Sequence, residues 1–238
     1  METKAKTIYE DSEILVLNKP SGLVVNRSQT SPTNTLQDYL DSDFDYLDGV
    51  GGNGDPETEI FKERSGLAHR IDKDTSGIVV VVKTLEGFNS ILKQFKDRSV
   101  KKEYLAVVWG EVEDAAFEID APIKRNPSNP MKFVVSPLGK KSLTRVKKAK
   151  VFEKGGHKFT LLRVYPETGR THQIRVHMSA TGHPVVGDAV YCTSKQMSSS
   201  QDLFSRMMLH AYRISFLHPA KNEVVEFECD PSSEFSLV

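Results

Sequence analysis

Ala68-His69-Arg70-Ile71-Asp72-Lys73-Asp74-Thr75-Ser76-Gly77 runs directly into Ile78-Val79-Val80-Val81-Val82-Lys83-Thr84. The second half of this stretch decides the fold class. An unbroken run of β-branched residues has no wet face and no dry face, so it specifies a strand buried on both sides. The first half sets His69, Arg70, Asp72, Lys73 and Asp74 at the mouth of that strand. Charged groups there are rigidly held yet reach solvent, which suits a site; the competing reading is a polar turn that merely feeds the strand. On the far side, Leu85, Phe88, Ile91, Leu92 and Phe95 recur at helical spacing. Residues 84–97 are therefore predicted as an amphipathic helix with Thr84 as its N-cap.

Strand signals dominate further out. TIYED, EILVLNKP and GLVVNRS within residues 7–28 read as β, separated by turns at Asp11-Ser12 and Pro20-Ser21-Gly22. The acidic, Gly-rich segment 36–63 opens with a short helix capped by Thr33 or Asn34 and continues as a mobile GVGGNGDPET loop. In KKEYLAVVWG, Tyr104, Ala106 and Val108 fall on one face, and Leu105, Val107 and Trp109 on the other. TRVKKAKVF and KFTLLRVY form a hairpin around Gly155-Gly156, and the last two strands form another around 219–222. Residues 171–182 read as a helix ended by Gly182 and Pro184. The prediction is an α+β fold on a mixed, mainly antiparallel central sheet flanked by helices and loops, in one domain spanning 1–238.

The chain has 238 residues, with 32 Lys+Arg against 32 Asp+Glu. At 38% hydrophobic it describes a globular chain rather than a disordered one. No apolar run approaches bilayer length, the N-terminus lacks a signal-peptide core, and two cysteines do not form a disulfide framework, so a cytoplasmic, non-membrane protein is expected. The neutral total hides an asymmetry. Residues 1–63 hold 5 basic and 13 acidic residues, whereas 123–175 hold 14 Lys/Arg against Glu153 and Glu167. Local potential, not net charge, attracts phosphates, and this middle segment offers it; a solvated basic face is the plain alternative.

Three tempting motifs fail. Asp72-Lys73-Asp74-Thr75 has the DxDxT pattern of haloacid-dehalogenase-type phosphatases, but there the apolar strand precedes the first Asp, and here it follows. Asp41-x-Asp43-x-Asp45 starts like a calcium loop, but the sixth and twelfth positions are Tyr46 and Gly52 rather than Gly and Glu. His172 and His177 share no face on a helix or a strand, so with His183 they make no metal site.

Taken together, the motifs resemble those of an RluA-type pseudouridine synthase. That family's HRLD followed after two residues by TSG stands here as His69-Arg70-Ile71-Asp72 and Thr75-Ser76-Gly77, with Ile71 in place of Leu. Its K-x-Y-x-A strand matches Lys102-Glu103-Tyr104-Leu105-Ala106, and its TGRTHQIRVH with GHPxxGD matches 168–177 and 182–188. NKPxG is Asn18-Lys19-Pro20-Ser21-Gly22, and LHA…HP is Leu209-His210-Ala211 and His218-Pro219. The resemblance covers about residues 8–230 in family order and is most like the large-subunit ribosomal RNA branch, without room for an S4-type domain.

The resemblance implies an isomerase that detaches a uracil from its ribose and rejoins it through C5. Such chemistry is neither redox nor phosphate-driven, so no cofactor and no metal are expected. It implies that Asp72 is the essential carboxylate, whether by attack at C1′, attack at C6 or a glycal route. It assigns Arg175 as the cation beside Asp72, and Tyr104 as the residue that stacks on the base and removes the C5 proton. Arg70 fills the space of the flipped nucleotide. Arg170, His172, Lys140 and Lys141, with Lys147 and Lys148, are candidates for phosphate contact, and His69 and Lys102 for RNA contact. The expected partner is RNA, ribosomal before transfer RNA, bound by a monomer. A non-catalytic RNA-binding or ribosome-assembly factor on the same fold is the alternative from another class.

Overall fold

The structure, a computed structural model, describes residues 4–45, 55–231 and 235. In chain order the elements are β1 (Lys6–Glu10), β2 (Ile14–Lys19), α1 (Leu36–Asp43), α2 (Pro56–Glu63), β3 (Ser76–Val82) and α3 (Leu85–Lys96). Then come β4 (Lys101–Trp109), β5 (Ala116–Asp120), β6 (Ile123–Asn126), β7 (Asn129–Val135), β8 (Leu143–Lys154) and β9 (His157–Pro166). The chain closes with α4 (Gln173–Ala180), α5 (Ser194–Ser200), β10 (Leu209–Leu217) and β11 (Val224–Glu228). This is the expected α+β fold, with mixed, mainly antiparallel strand pairing. No helix among the described residues is long and apolar enough to cross a membrane.

The chain divides into two compact units, 1–101 with 213–230 and 102–212 with 231–238. In the first, the strand order is β1-β2-β3-β10-β11, with β10 contributing residues 213–217. Every residue of β3 is buried, as its Val run requires. Ile78, Val80 and Val82 join Ile14 and Val16 of β2 on one face, where α2 delivers Phe61 and α3 delivers Phe88 and Ile91. Phe61 and Phe88 meet edge-on at 5.3 Å. Each such side chain taken out of water contributes about 1.5–3 kcal/mol, so this layer anchors the loop that precedes β3.

In the second unit the order is β10-β4-β9-β8-β5, with residues 209–212 of β10, and β6–β7 is a separate two-stranded hairpin. The alternation read from β4 holds. Ala106 and Val108 pack with Ile174 and Met178 of α4, whereas Val107 and Trp109 pack with Phe159, Phe204 and Met208 on the opposite face. Gly155 (φ 58°) and Gly156 (φ 74°) make the predicted β8–β9 turn.

Local readings need correction in the first unit. The α1 cap is Thr35, not Thr33 or Asn34, because Thr35 and Asp38 form a reciprocal capping box. Residues 22–28 are not a strand; Val24 makes only an isolated bridge to Thr35. The tail of GVGGNGDPET starts a helix, since the Asp55 side chain caps Thr58 N and Pro56 fills the first helical turn. The rest of that loop reading, 49–54, lies outside the described residues.

Candidate active site

Asp72 sits half-buried in the turn before β3, between buried Ile71 and buried Thr75, and the Thr75 N–H donates to the Asp72 carbonyl at 3.2 Å. The turn is bolted to the Asn18–Gly22 segment. Lys19, wholly buried, donates from Nζ to the carbonyls of Pro20, Leu23 and Lys73 at 2.8, 2.8 and 2.9 Å. Gly22 N donates to Lys73 O at 2.9 Å, and Ser21 Oγ to Asp74 O at 2.7 Å. The residues directly after Asp72 are therefore gripped by backbone and side-chain bonds alike. Gly77 follows at φ 110°, a conformation that favours glycine, and lets the chain turn into β3. Arg70 is exposed beside this turn. His69 Nε2 accepts the Val80 N–H at 2.9 Å and its ring lies 5.1 Å from that of Phe95, so this imidazole is built into the β3–α3 layer.

The second unit places Tyr104 and Arg175 on one sheet face. Tyr104, paired with Val164 of β9, packs against the apolar cluster that includes Ile174 and Met178 of α4. Arg175, on α4, is 4% exposed. Its Nε and Nη2 donate to Asp188 Oδ2 and Oδ1 at 2.7 and 2.8 Å, the bidentate geometry a guanidinium prefers. Asp188 Oδ1 also accepts Val190 N at 3.0 Å. Gly187 (φ 74°) aims this acid; a Cβ there would lie 2.4 Å from the Arg206 carbonyl. One edge of the guanidinium is thus fixed by an acid to which the sequence reading gave no role. The available signal was a single carboxylate after glycine in an otherwise apolar Pro-Val-Val-Gly-Asp run.

The other candidates divide by what they already hold. Gln173, buried, takes hydrogen bonds from Thr168 Oγ1 and Arg170 N and gives them to Leu143 O and Thr144 Oγ1, which shapes the loop before α4. Arg170 Nε reaches Lys141 O at 3.3 Å, so Arg170, Lys140 and Lys141 share one surface, and Lys140 pairs through its backbone with Ile123 of β6. Lys148 is not part of that surface: its Nζ is spent on the carbonyls of Val112 and Glu113. His172 caps α4 at φ 56° with no side-chain cap bond. His177 is wholly buried and uses both ring nitrogens, on Thr144 Oγ1 and Ala121 O, and burial lowers its pKa from the ordinary value. Burial also pushes Lys102 down to about 8, with Glu167 opposing the shift. Among the described residues, no group of three His, Cys, Asp or Glu is placed to hold a metal.

Residues 13–180 match the family model described as RNA pseudouridylate synthase. The chain belongs to the RNA pseudouridine synthase family. It is 39% identical over 97% of its length to an uncharacterized RNA pseudouridine synthase of Aquifex aeolicus, spanning 71% of that protein. It is 40% identical over 93% of its length to the ribosomal large subunit pseudouridine synthase D of Neisseria meningitidis serogroup A, but spans only 56% of that longer chain. The solved structure of human RNA pseudouridylate synthase domain containing 1 superposes with a TM-score of 0.72 at 29% identity, covering 98% of this chain and 87% of that one. The RluA-type resemblance drawn from the motifs is thereby borne out, and with it membership in a family of isomerases that convert uridine to pseudouridine in RNA.

Proposed function

We propose that this chain isomerises uridine to pseudouridine in large-subunit ribosomal RNA. The carrying observation is the rigid seat of Asp72, at the HRxD-xx-TSG position of a chain that matches the synthase family over 13–180. The reaction breaks the bond between C1′ and N1, turns the uracil, forms a bond from C1′ to C5, and releases the C5 proton while N1 takes one up. A carboxylate serves it by covalent attack or by stabilising the positive charge that develops on the sugar. Holding Lys73 and Asp74 by Lys19, Gly22 and Ser21 keeps that carboxylate in one place at no cost during the reaction. Arg175 is proposed to orient Asp72, Tyr104 to stack on the uracil and take the C5 proton, and Arg70 to occupy the gap left by the flipped nucleotide. Lys140, Lys141 and Arg170 supply phosphate contacts, and the chain acts as a monomer in the cytoplasm.

Tritium release from RNA labelled at uracil C5 tests the reading. Wild type is expected to release tritium from large-subunit ribosomal RNA, and Asp72→Ala to release none above background. Release from transfer RNA alone would move the substrate to that class. No release from either RNA would favour a binding protein without catalysis.

A further inference from the structure

Tyr191 stands three residues after Asp188, and contacts from strand β7, the head of α4 and the Arg175 guanidinium converge on it. Its hydroxyl accepts the Phe133 N–H of β7 at 2.9 Å and lies 3.1 Å from His172 Nδ1. Its ring carries the Arg175 guanidinium 5.3 Å from its centroid and meets the His172 ring edge-on at 5.7 Å. Its own N–H leans on Asp188 Oδ1 at 3.3 Å, the acid that holds Arg175. The chain of contacts continues outward: His172 lies 5.6 Å from the Phe133 ring, and the Arg125 guanidinium lies 4.9 Å from the centroid of that same ring.

Two features show that this connection is built rather than incidental. His172 has φ 56°, and a residue other than glycine keeps that conformation only where its surroundings dictate it. The β6–β7 hairpin is a two-stranded sheet of its own, separate from the larger sheet. It is also basic, with Lys124, Arg125 and Lys132 along it. The Phe133 N–H of β7 is bound by the hydroxyl of the same tyrosine whose ring covers Arg175.

We infer that Tyr191 is a positioning residue that couples the basic β6–β7 hairpin to Arg175. RNA phosphates drawn onto the hairpin order β7; the hydroxyl passes that order to His172 at the head of α4, and the ring keeps the guanidinium in plane. The inference rests on the synthase reading above and adds to it a link between RNA capture and the chemistry.

Tyr191→Phe keeps the ring over Arg175 and removes only the hydroxyl. Under single-turnover conditions with saturating C5-labelled RNA, its rate is expected to fall about tenfold, the size set by removing one or two hydrogen bonds. RNA affinity should stay within about threefold, because the hairpin cations are untouched. A residue that served stability alone would lower the thermal midpoint and leave the rate per folded molecule unchanged. His172→Ala reads the same link from its other end, whether or not the Phe variant folds well, and is expected to show the same drop in rate. The double variant should then be no slower than the slower single one. A full single-turnover rate in both single variants, or effects that multiply in the double variant, would overturn the coupling. If wild type is active and these variants are indifferent, only the coupling fails; if wild type is inactive on every RNA, the synthase reading fails with it.

Discussion

Asp188→Asn is the sharpest perturbation the second unit offers. Asp188 and Arg175 are 0% and 5% exposed at their side chains, so neither charge is shared with water. Asparagine keeps an oxygen at the position of Oδ1, where it still accepts from Val190 N and from Arg175 Nη2. At the position of Oδ2 it offers an NH2 group to Arg175 Nε, so a donor faces a donor where a 2.7 Å bond stood. The guanidinium also loses the negative charge that Asp188 holds against it. Removing one partner of a buried pair costs about 3–5 kcal/mol. For a chain of this size that lowers the thermal midpoint by about 6–20 °C. Thermal unfolding of wild type, Asp188→Asn, Arg175→Met and the double variant measures it. Arg175→Met leaves Asp188 similarly stranded and should cost a comparable amount. The double variant leaves neither member of this pair facing a lost partner and should cost clearly less than the two single variants combined. A destabilisation below about 1 kcal/mol in Asp188→Asn, or strict additivity in the double variant, would refute the account of a dry, mutually dependent pair.

Lys102 gives a pH signature. Unfolded, it titrates at 10.5; folded, burial brings it to about 8. Between those values the unfolded chain holds a proton that the folded chain has released, so this group adds stability as pH rises from about 8 towards 10.5. Urea unfolding of wild type against Lys102→Met from about pH 7 to 10 should show wild type gaining on the variant as pH rises, and parallel curves would count against it. Lys140→Gln with Lys141→Gln should flatten the dependence of log affinity for RNA on log salt by about 0.7–0.9 for each phosphate that is no longer neutralised. An unchanged slope would remove both lysines from the RNA footprint.

The parts of this protein that were legible are those whose cause is local. The Ile78–Val82 run can be nothing but a buried strand, and Thr84 before a helical repeat placed the start of α3 to the residue. Alternation along Tyr104–Trp109 put each side chain on the face it occupies, because a strand has no other choice. Local signals mislead where two compete. Asp55-Pro56 follows a glycine-rich run and reads as its continuation, although Asp followed by Pro is a helix start. Thr193 and Gln196 form a capping box at the head of α5, hidden in a serine-rich stretch. Val24 and Val25 have strand propensity but end in a single bridge, since neighbours, not propensity, decide whether a strand forms.

Motif order could nominate site residues but not the bonds that support them. Motif order pointed to Asp72, Tyr104 and Arg175, yet nothing in the order says that Lys19 is wholly buried or that Asp188 holds Arg175. A lysine in sequence reads as a solvated charge, and only the fold reveals three carbonyls converging on its ammonium. The same holds for His177, which sequence spacing excluded from metal binding but could not assign to Thr144 and Ala121. The bonds from Lys19 to Lys73, from Arg175 to Asp188 and from His177 to Thr144 and Ala121 join positions well apart along the chain, so no periodicity or local spacing carries them. They also explain why the family-like residues sit where they do. On the proposed mechanism a reacting carboxylate and its cation must not drift, and the bonds of Lys19 to Lys73 and of Asp188 to Arg175 oppose that drift. Substitutions at Lys19, Asp188 or Gln173 should therefore impair the reaction without any of the three touching the uridine.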